Sequence, residues 1–262
     1  MTIVKKFWPI LCGTHRYDKS LSIRGHATGE VIEAPILAYL IETSQGRILY
    51  DVGCDYRKVN DKLLRKQFYE NPDFAFGPPV VTQEQRLPAR LSVLGLDPRD
   101  VDCVFCGHLH FDHAGGLCEF PHAEVHVHEK ELASASAPDN KDIAYFSDDF
   151  SCGVQWRVQT GEYSLVDGVD AVETPGHTAG HMSLLVRLPK GKPLLLCGDA
   201  ADLTENLDRE VAPGLCWQDR EDLALQSIQK LKRLALQTDA ELWPNHDMAF
   251  FNRHNTFPIG RE

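Results

Sequence analysis

Residues 108–113 read His-Leu-His-Phe-Asp-His, which puts four metal-ligating side chains, His108, His110, Asp112 and His113, within six positions. The run follows the apolar stretch Val104-Phe-Cys and precedes Gly115-Gly116. In an extended chain residues two apart share a face, so His108 and His110 can converge on one ion. The chain must then turn. The two glycines permit close backbone approach, and the turn carries Asp112 and His113 toward a second position. A solvated patch of histidines would need neither the strand before it nor the glycines after it.

One cluster cannot complete two coordination spheres, and further ligand types follow downstream. Thr174-Pro-Gly-His177-Thr-Ala-Gly-His181 lies between two apolar runs, with Pro175 and Gly176 set to make a tight turn. Leu194-Leu-Leu-Cys-Gly-Asp199 is an apolar run ending in a carboxylate, and Leu242-Trp-Pro-Asn-His246 is a short one ending in an imidazole. Together they bring the set to five His and two Asp, enough for two ions with one carboxylate able to bridge. Such mixed ligation suits Zn2+, with Fe, Mn or Co as alternatives. Two divalent ions about 3.5–4 Å apart activate water and stabilise both oxygens of a displacement. The chemistry expected is metal-assisted hydrolysis.

These groups need elements to hold them at one edge. Short apolar or β-branched runs recur at Ile36–Ile41, Ile48–Tyr50, Val101–Cys106, Val125–His128, Val169–Val172, Met182–Val186, Leu194–Cys197 and Leu242–Trp243, and the opening residues read as a first strand. Near-continuous apolar runs suit strands covered on both faces. Helical spacing is clearest over Asp219–Gln237, with further candidates at Gln83–Leu94, weakened by Pro88, and at Lys58–Phe68. Strands mixed with helices predict a layered α/β (α+β) fold. No linker divides the chain, so residues 1–262 are expected to form one domain. Glu70–Val81 and Ser134–Cys152 read as exposed loops of the kind that cover active sites. Trp8, Phe68, Phe74, Phe76, Tyr145 and Phe146 are candidates for an apolar pocket under them, or for core.

The ligand pattern closely resembles the metallo-β-lactamase superfamily. His108, His110, Asp112 and His113, then His177, Asp199 and His246, match its dinuclear hydrolase motif at every ligand position. The phrases HLHFDHAGG, TPGHTAGH and NHD look most like its N-acyl-homoserine lactonase branch. The resemblance implies a four-layer αβ/βα sandwich with two divalent metal ions between two sheets. It implies that His108, His110 and His177 hold one ion, that Asp112, His113 and His246 hold the other, and that Asp199 bridges them beside a hydroxide. Asp51 and His181 would support these ligands. By the same resemblance the hydroxide would attack a lactone carbonyl, and Asp112 would deliver a proton to the leaving alkoxide. The sequence departs at Asp202, where that branch typically has a tyrosine contacting the substrate carbonyl. An ionised carboxylate cannot donate a hydrogen bond. Either a metal alone polarises the carbonyl, or another group substitutes, or the substrate differs; Asp202 as a solvated loop residue is equally open.

The implied activity is opening of an N-acyl-homoserine lactone, that is, quorum quenching. The alternatives are another small lactone such as a pyridoxolactone, or a thioester or ester hydrolysed on the same scaffold. A glyoxalase-II-like thioesterase would carry a helical extension, and only 16 residues follow His246. A non-hydrolytic redox module would need a flavin partner, and no glycine-rich dinucleotide fingerprint occurs. The net charge of −11 argues against a nucleic-acid partner and against an anionic membrane surface. No apolar run approaches the roughly 20 residues of a membrane span. The expected partners are therefore a small lactone and, in a homodimer, a second copy of the chain. The expected location is the cytoplasm, and the eight cysteines, the Cys103-x-x-Cys106 pair included, are expected as free, mostly buried thiols.

Overall fold

The period-two alternation of apolar residues along the strands sets the layers. The computed structural model describes residues 2–72, 74 and 76–262. One sheet joins β1 (Val4–Asp18), β2 (Val31–Thr43), β3 (Gly46–Tyr50), β4 (Cys103–Phe105), β5 (Glu124–His128) and β6 (Gln155–Gln159) in that order. The second contains β7 (Tyr163–Val166), β8 (Val169–Glu173), β9 (Met182–Val186), β10 (Leu194–Gly198) and β11 (Glu241–Pro244), also in chain order. β3 to β6 pair in parallel, as do β10 and β11, while the other neighbours are antiparallel.

In β2, Leu37, Tyr39 and Ile41 point between the sheets, where they meet Leu184, Val186, Leu194, Leu196 and Trp243. The intervening Ile36, Ala38 and Leu40 face an outer layer of helices. That layer includes α1 (Tyr56–Asn60), α2 (Lys62–Phe68), α3 (Leu87–Val93), α4 (Phe111–Ala114), α5 (Glu129–Ala135) and α6 (Ser147–Phe150). On the far side, Leu195 and Cys197 of β10 meet α7 (Thr204–Arg209) and α8 (Glu221–Thr238) through Leu207, Ile228, Leu231 and Ala235. Three apolar clusters thus separate four layers, helices and sheet on each side, the αβ/βα sandwich that the resemblance implies. α9 (Met248–His254) closes one edge of the middle cluster with Phe250 and Phe251.

Several details differ from the sequence reading. The Lys58–Phe68 candidate breaks at Asp61, which is extended and whose carboxylate caps Leu63 and Leu64 N–H. The Gln83–Leu94 candidate breaks at Arg86, and Pro88 sits in the first turn of α3, where its missing N–H costs nothing. α8 begins two residues later than Asp219 and ends at a left-handed Asp239. β6 and β7 are additional strands; most of their residues are exposed or half-buried, so they carry no apolar run. The Ser134–Cys152 stretch is not a simple exposed loop. It contains α6 and buries Ala144, Phe146, Asp149 and Phe150. The cysteine expectation also needs correcting, because Cys118 and Cys152 form a disulfide and the other six are free. No helix among the described residues is long and apolar enough to cross a membrane.

Candidate metal centre

The ligand-type residues gather at the carboxyl ends of parallel strands. Asp51 follows β3, the His108–His113 run follows β4, Asp199 follows β10 and His246 follows β11, while His177 sits in the turn from β8 to β9. After β4 the chain stays extended, so His108 and His110 share a side, with ring centroids 4.5 Å apart. His110 then starts α4, whose first turn carries Asp112 and His113. A side chain at Gly115 or Gly116 would strike the backbone of Asp55 or Val52, so these two positions must be glycine for α4 to pack. Gly176, at φ +142°, makes the turn that presents His177.

Two groups of donor atoms result. His108, His110 and His177 form one; Asp112, His113 and His246 form the other, each with all donor atoms within 4.8 Å of one another. Asp199 lies between them. Its Oδ2 is 3.7 Å from His108 Nε2, 3.5 Å from His177 Nε2 and 3.2 Å from His246 Nε2, and its Oδ1 is 3.4 Å from His113 Nε2. His110 Nδ1 and His177 Nε2 face each other at 3.1 Å.

The outward ring atoms are held by the protein. His113 Nδ1–H donates to Asp51 Oδ2 at 2.8 Å, and the other Asp51 oxygen accepts from Gly107 N–H at 2.9 Å. His246 Nδ1–H donates to the Pro35 carbonyl at 2.9 Å, His177 Nδ1–H to that of Leu215 at 3.3 Å, and His110 Nε2–H to Asp142 at 3.1 Å. Each partner fixes the tautomer that leaves the inward nitrogen with a free lone pair. His113 Nε2 and both nitrogens of His108 are buried without a hydrogen-bond partner. Buried polar atoms are normally paired; a neutral imidazole has one lone pair, and with Nε2 of His108 and of His113 both facing Asp199, lone pairs there fit a cation. His181 faces another way: its Nε2 accepts from Asp199 N–H at 2.9 Å and its Nδ1 from the other side bonds Thr174, leaving no lone pair for an ion.

The electrostatics do not follow the two groups: Asp142 raises His110 against its burial, while its neighbours His108 and His177 are lowered. Burial holds His108 well below the ordinary histidine range and His177 down to about 4, which keeps both in the neutral form that ligates. Burial is the largest single influence on His113 and His246 and opposes their protonation, but the surrounding carboxylates together outweigh it: Asp199, Asp112 and Asp51 hold His113 well above that range, and Asp199, Asp202 and Asp112 hold His246 up to about 10. These protons offset the charge of Asp199, and a cation would displace them. Burial and the neighbouring Asp199 push Asp202 up to about 8.

Asp202 is not a solvated loop residue, being only 5% exposed and lining the same pocket as Asp112, Asp199 and His246. Tyr17 and Ser22, hydrogen-bonded to each other at 2.9 Å, stand on that pocket's wall. Of the aromatic candidates, Phe76 lines the pocket, and the Tyr145 ring lies 4.6 Å from that of His110. Phe68, Phe74 and Phe146 stack with Tyr69 and Phe111 in core, and Trp8 packs near the carboxyl-terminal segment through Pro258. His126 and His128 bond Tyr163 and Glu173 respectively, away from the centre.

Three residues escape the sequence reading. Glu131 on α5 is fully buried and ties both histidine loops together. Its carboxylate accepts from Leu109 N–H at 2.9 Å, Tyr145 O–H at 2.8 Å, Thr178 O–H at 2.6 Å and Gly180 N–H at 3.2 Å. Asp142 bonds His110, and its segment was legible only as a loop. Asn245, beside His246, donates to Asp199 Oδ1 at 3.0 Å.

Comparison with known proteins points the same way. A family model described as the metallo-beta-lactamase superfamily matches residues 32–246. An N-acyl homoserine lactonase from Bacillus sp is 32% identical over 256 residues, covering 97% of this chain and 98% of that protein. The N-acyl homoserine lactonase AttM of Rhizobium radiobacter is 37% identical over 177 residues, covering 64% and 66%. A solved N-acyl homoserine lactone hydrolase, with the product N-hexanoyl-L-homoserine bound at its catalytic metal centre, matches with a TM-score of 0.89 at 30% identity over 100% of both chains.

Proposed function

The chain belongs to the metallo-β-lactamase superfamily, and we propose that it is a quorum-quenching hydrolase that opens the ring of N-acyl-homoserine lactones. The observation that carries the reading is the pair of buried donor clusters sharing Asp199 at the floor of a pocket. His108, His110 and His177 would hold one divalent cation, and Asp112, His113 and His246 the other, with Asp199 serving both. Two such ions, Zn2+ being our choice for an imidazole-rich set, would supply the Lewis acid and activate the nucleophile that ester hydrolysis requires.

The protein's own groups do the rest. Asp51, Asp142 and the Pro35 and Leu215 carbonyls hold the imidazoles in one tautomer. His181 and Asn245 hold Asp199 from behind. Asp112 borders the pocket, and its oxygen turned away from His113 and His246 can carry a proton to the leaving alkoxide, so that ring opening yields an acid and an alcohol. A neighbouring cleft of about 730 Å3, with Leu21, Phe76, Ile143 and Leu215 on its walls, offers apolar surface for an acyl chain. The three apolar clusters run from Val4 to Phe251, which supports reading residues 1–262 as one domain. Six free thiols support a cytoplasmic setting, with the Cys118–Cys152 pair as the feature against it. Asp202, where the resemblance expects a tyrosine, favours a different small lactone as the second reading.

The test is metal analysis together with hydrolysis of a panel varying ring and acyl chain, followed by acid release. Homoserine lactones should be cleaved, and Asp199→Ala should lose both bound metal and turnover. Activity confined to thioesters, or full turnover by metal-free protein, would overturn the proposal.

A further inference from the structure

We infer that Asp202 is an additional ligand on the Asp112, His113 and His246 side of the centre, giving that position an oxygen-rich donor set unlike its neighbour's; the inference rests on the dinuclear reading above. Three observations carry it. A carboxylate oxygen of Asp202 lies within 4.8 Å of ligand atoms of both Asp199 and His246. The residue is 95% buried by its 5% exposure, and its Oδ1 has no hydrogen-bond partner. Its backbone is sewn to the adjacent ligand loop, because His246 N–H donates to the Asp202 carbonyl at 2.8 Å and Asn245 N–H to that of Ala201 at 3.2 Å. The side chain therefore starts from a fixed point beside His246 and ends beside Asp199 with Oδ1 unpaired.

A buried carboxylate next to a second carboxylate is costly without a cation or a full set of donors. Among the described residues no lysine or arginine pairs with Asp202. The Ser22 hydroxyl, itself hydrogen-bonded to Tyr17 at 2.9 Å, meets the carboxylate, but Oδ1 is left without a partner. A divalent cation shared with His246 supplies the missing partner.

The two positions would then differ in kind. One would be served by three imidazoles and the shared Asp199. The other would be served by two imidazoles, Asp112, Asp202 and the shared Asp199. Carboxylate oxygens favour harder ions such as Mn2+, whereas imidazole suits Zn2+ and Fe2+. The substitution at position 202 is thus a determinant of metal preference at one of the two positions.

The experiment loads metal-free full-length protein with Zn2+ or Mn2+ alone and reads stoichiometry and affinity by calorimetry and elemental analysis. Wild type is compared with Asp202→Asn, which keeps shape, and with Asp202→Ala, and circular dichroism reports folding of each. The expected result is that wild type binds two equivalents. In both variants one equivalent should weaken by about tenfold or more, a loss at least as large as that for removing an outer partner. Mn2+ should be affected more than Zn2+, and the other equivalent should be unchanged. Two equivalents at wild-type affinity and unaltered Mn2+/Zn2+ preference in whichever variant folds would overturn the inference and leave Asp202 as a wall of the substrate pocket. No uptake by wild type would instead overturn the dinuclear reading itself.

Discussion

Glu131 offers the sharpest check on how the centre is held. In Glu131→Gln one carboxylate oxygen becomes an NH2 group. One oxygen faces Leu109 N–H and Tyr145 O–H, and the other faces Thr178 O–H and Gly180 N–H. Whichever way the amide turns, its NH2 meets one hydroxyl and one backbone N–H. The hydroxyl can rotate and accept; the backbone N–H cannot. One buried N–H is therefore left without an acceptor, at about 1–3 kcal/mol. The three bonds that remain, the one with the rotated hydroxyl included, lose their charge assistance, which is roughly half their strength, or about 1 kcal/mol each. The sum is about 4–6 kcal/mol. With an unfolding entropy of about 2.1 cal/mol/K per residue, a chain of 262 residues should melt about 7–11 °C lower.

The loss should also be local. Leu109 lies between His108 and His110, while Thr178 and Gly180 flank His177 on its carboxyl side, so either orientation of the amide loosens the same three histidines. Gly180 sits so close to Glu131 that a side chain there would meet the Glu131 backbone nitrogen at 2.2 Å, which leaves α5 no room to adjust. Urea unfolding gives the stability, and titration of metal-free protein with Zn2+ gives the affinity. One of two equivalents should weaken in Glu131→Gln. A variant within about 0.5 kcal/mol of wild type, the range of an ordinary surface change, with both equivalents intact, would refute the reasoning.

Other consequences are as direct. Asp51→Asn tolerates the left-handed backbone at φ 58° and keeps the Gly107 bond, but its NH2 opposes His113 Nδ1–H. His113 should then swap tautomer, and affinity for one ion should fall about 10–100-fold by chelator competition; an unchanged value would argue that Asp51 only caps the loop. Opening the Cys118–Cys152 bridge, whose sequence separation is 34, by the double serine variant should cost about 3–4 kcal/mol in urea unfolding on loop-closure entropy. A midpoint and slope equal to wild type would mean that the pair is not formed in solution. Burial pushes the thiols of Cys12, Cys103 and Cys197 up to about 12, and that of the half-buried Cys216 to about 11. Ellman's reagent at pH 8 should label the native protein slowly and all six free thiols after denaturation; fast native labelling of several would contradict the burial.

The clustered donor residues were legible because their chemistry is written in short-range spacing. His108 and His110 sit two apart on extended chain and Asp112 and His113 in the next turn, while His177, Asp199 and His246 each end or follow an apolar run. The sheets were legible for the same reason: Leu194–Cys197 alternates between the inter-sheet core and α8, so both faces had to be apolar. What escaped the sequence reading acts at long range. Glu131 comes 18 residues after His113 in an ordinary-looking helix start, and it matters only because the fold brings Leu109 and Gly180 to its two oxygens. Asp142 reads as an ordinary loop carboxylate until the fold places His110 beside it. Cys118 and Cys152 carry no spacing signal that separates them from the six free cysteines. Asp202 is the instructive middle case. Its position after Asp199 marked it as a departure, but a solvated carboxylate and a buried one read the same in sequence. Only the hydrogen bond from His246 to its carbonyl shows that the loop cannot swing it into water. A buried acid so fixed needs a proton or a cation, and the metal titration of the Asp202 variants decides between them.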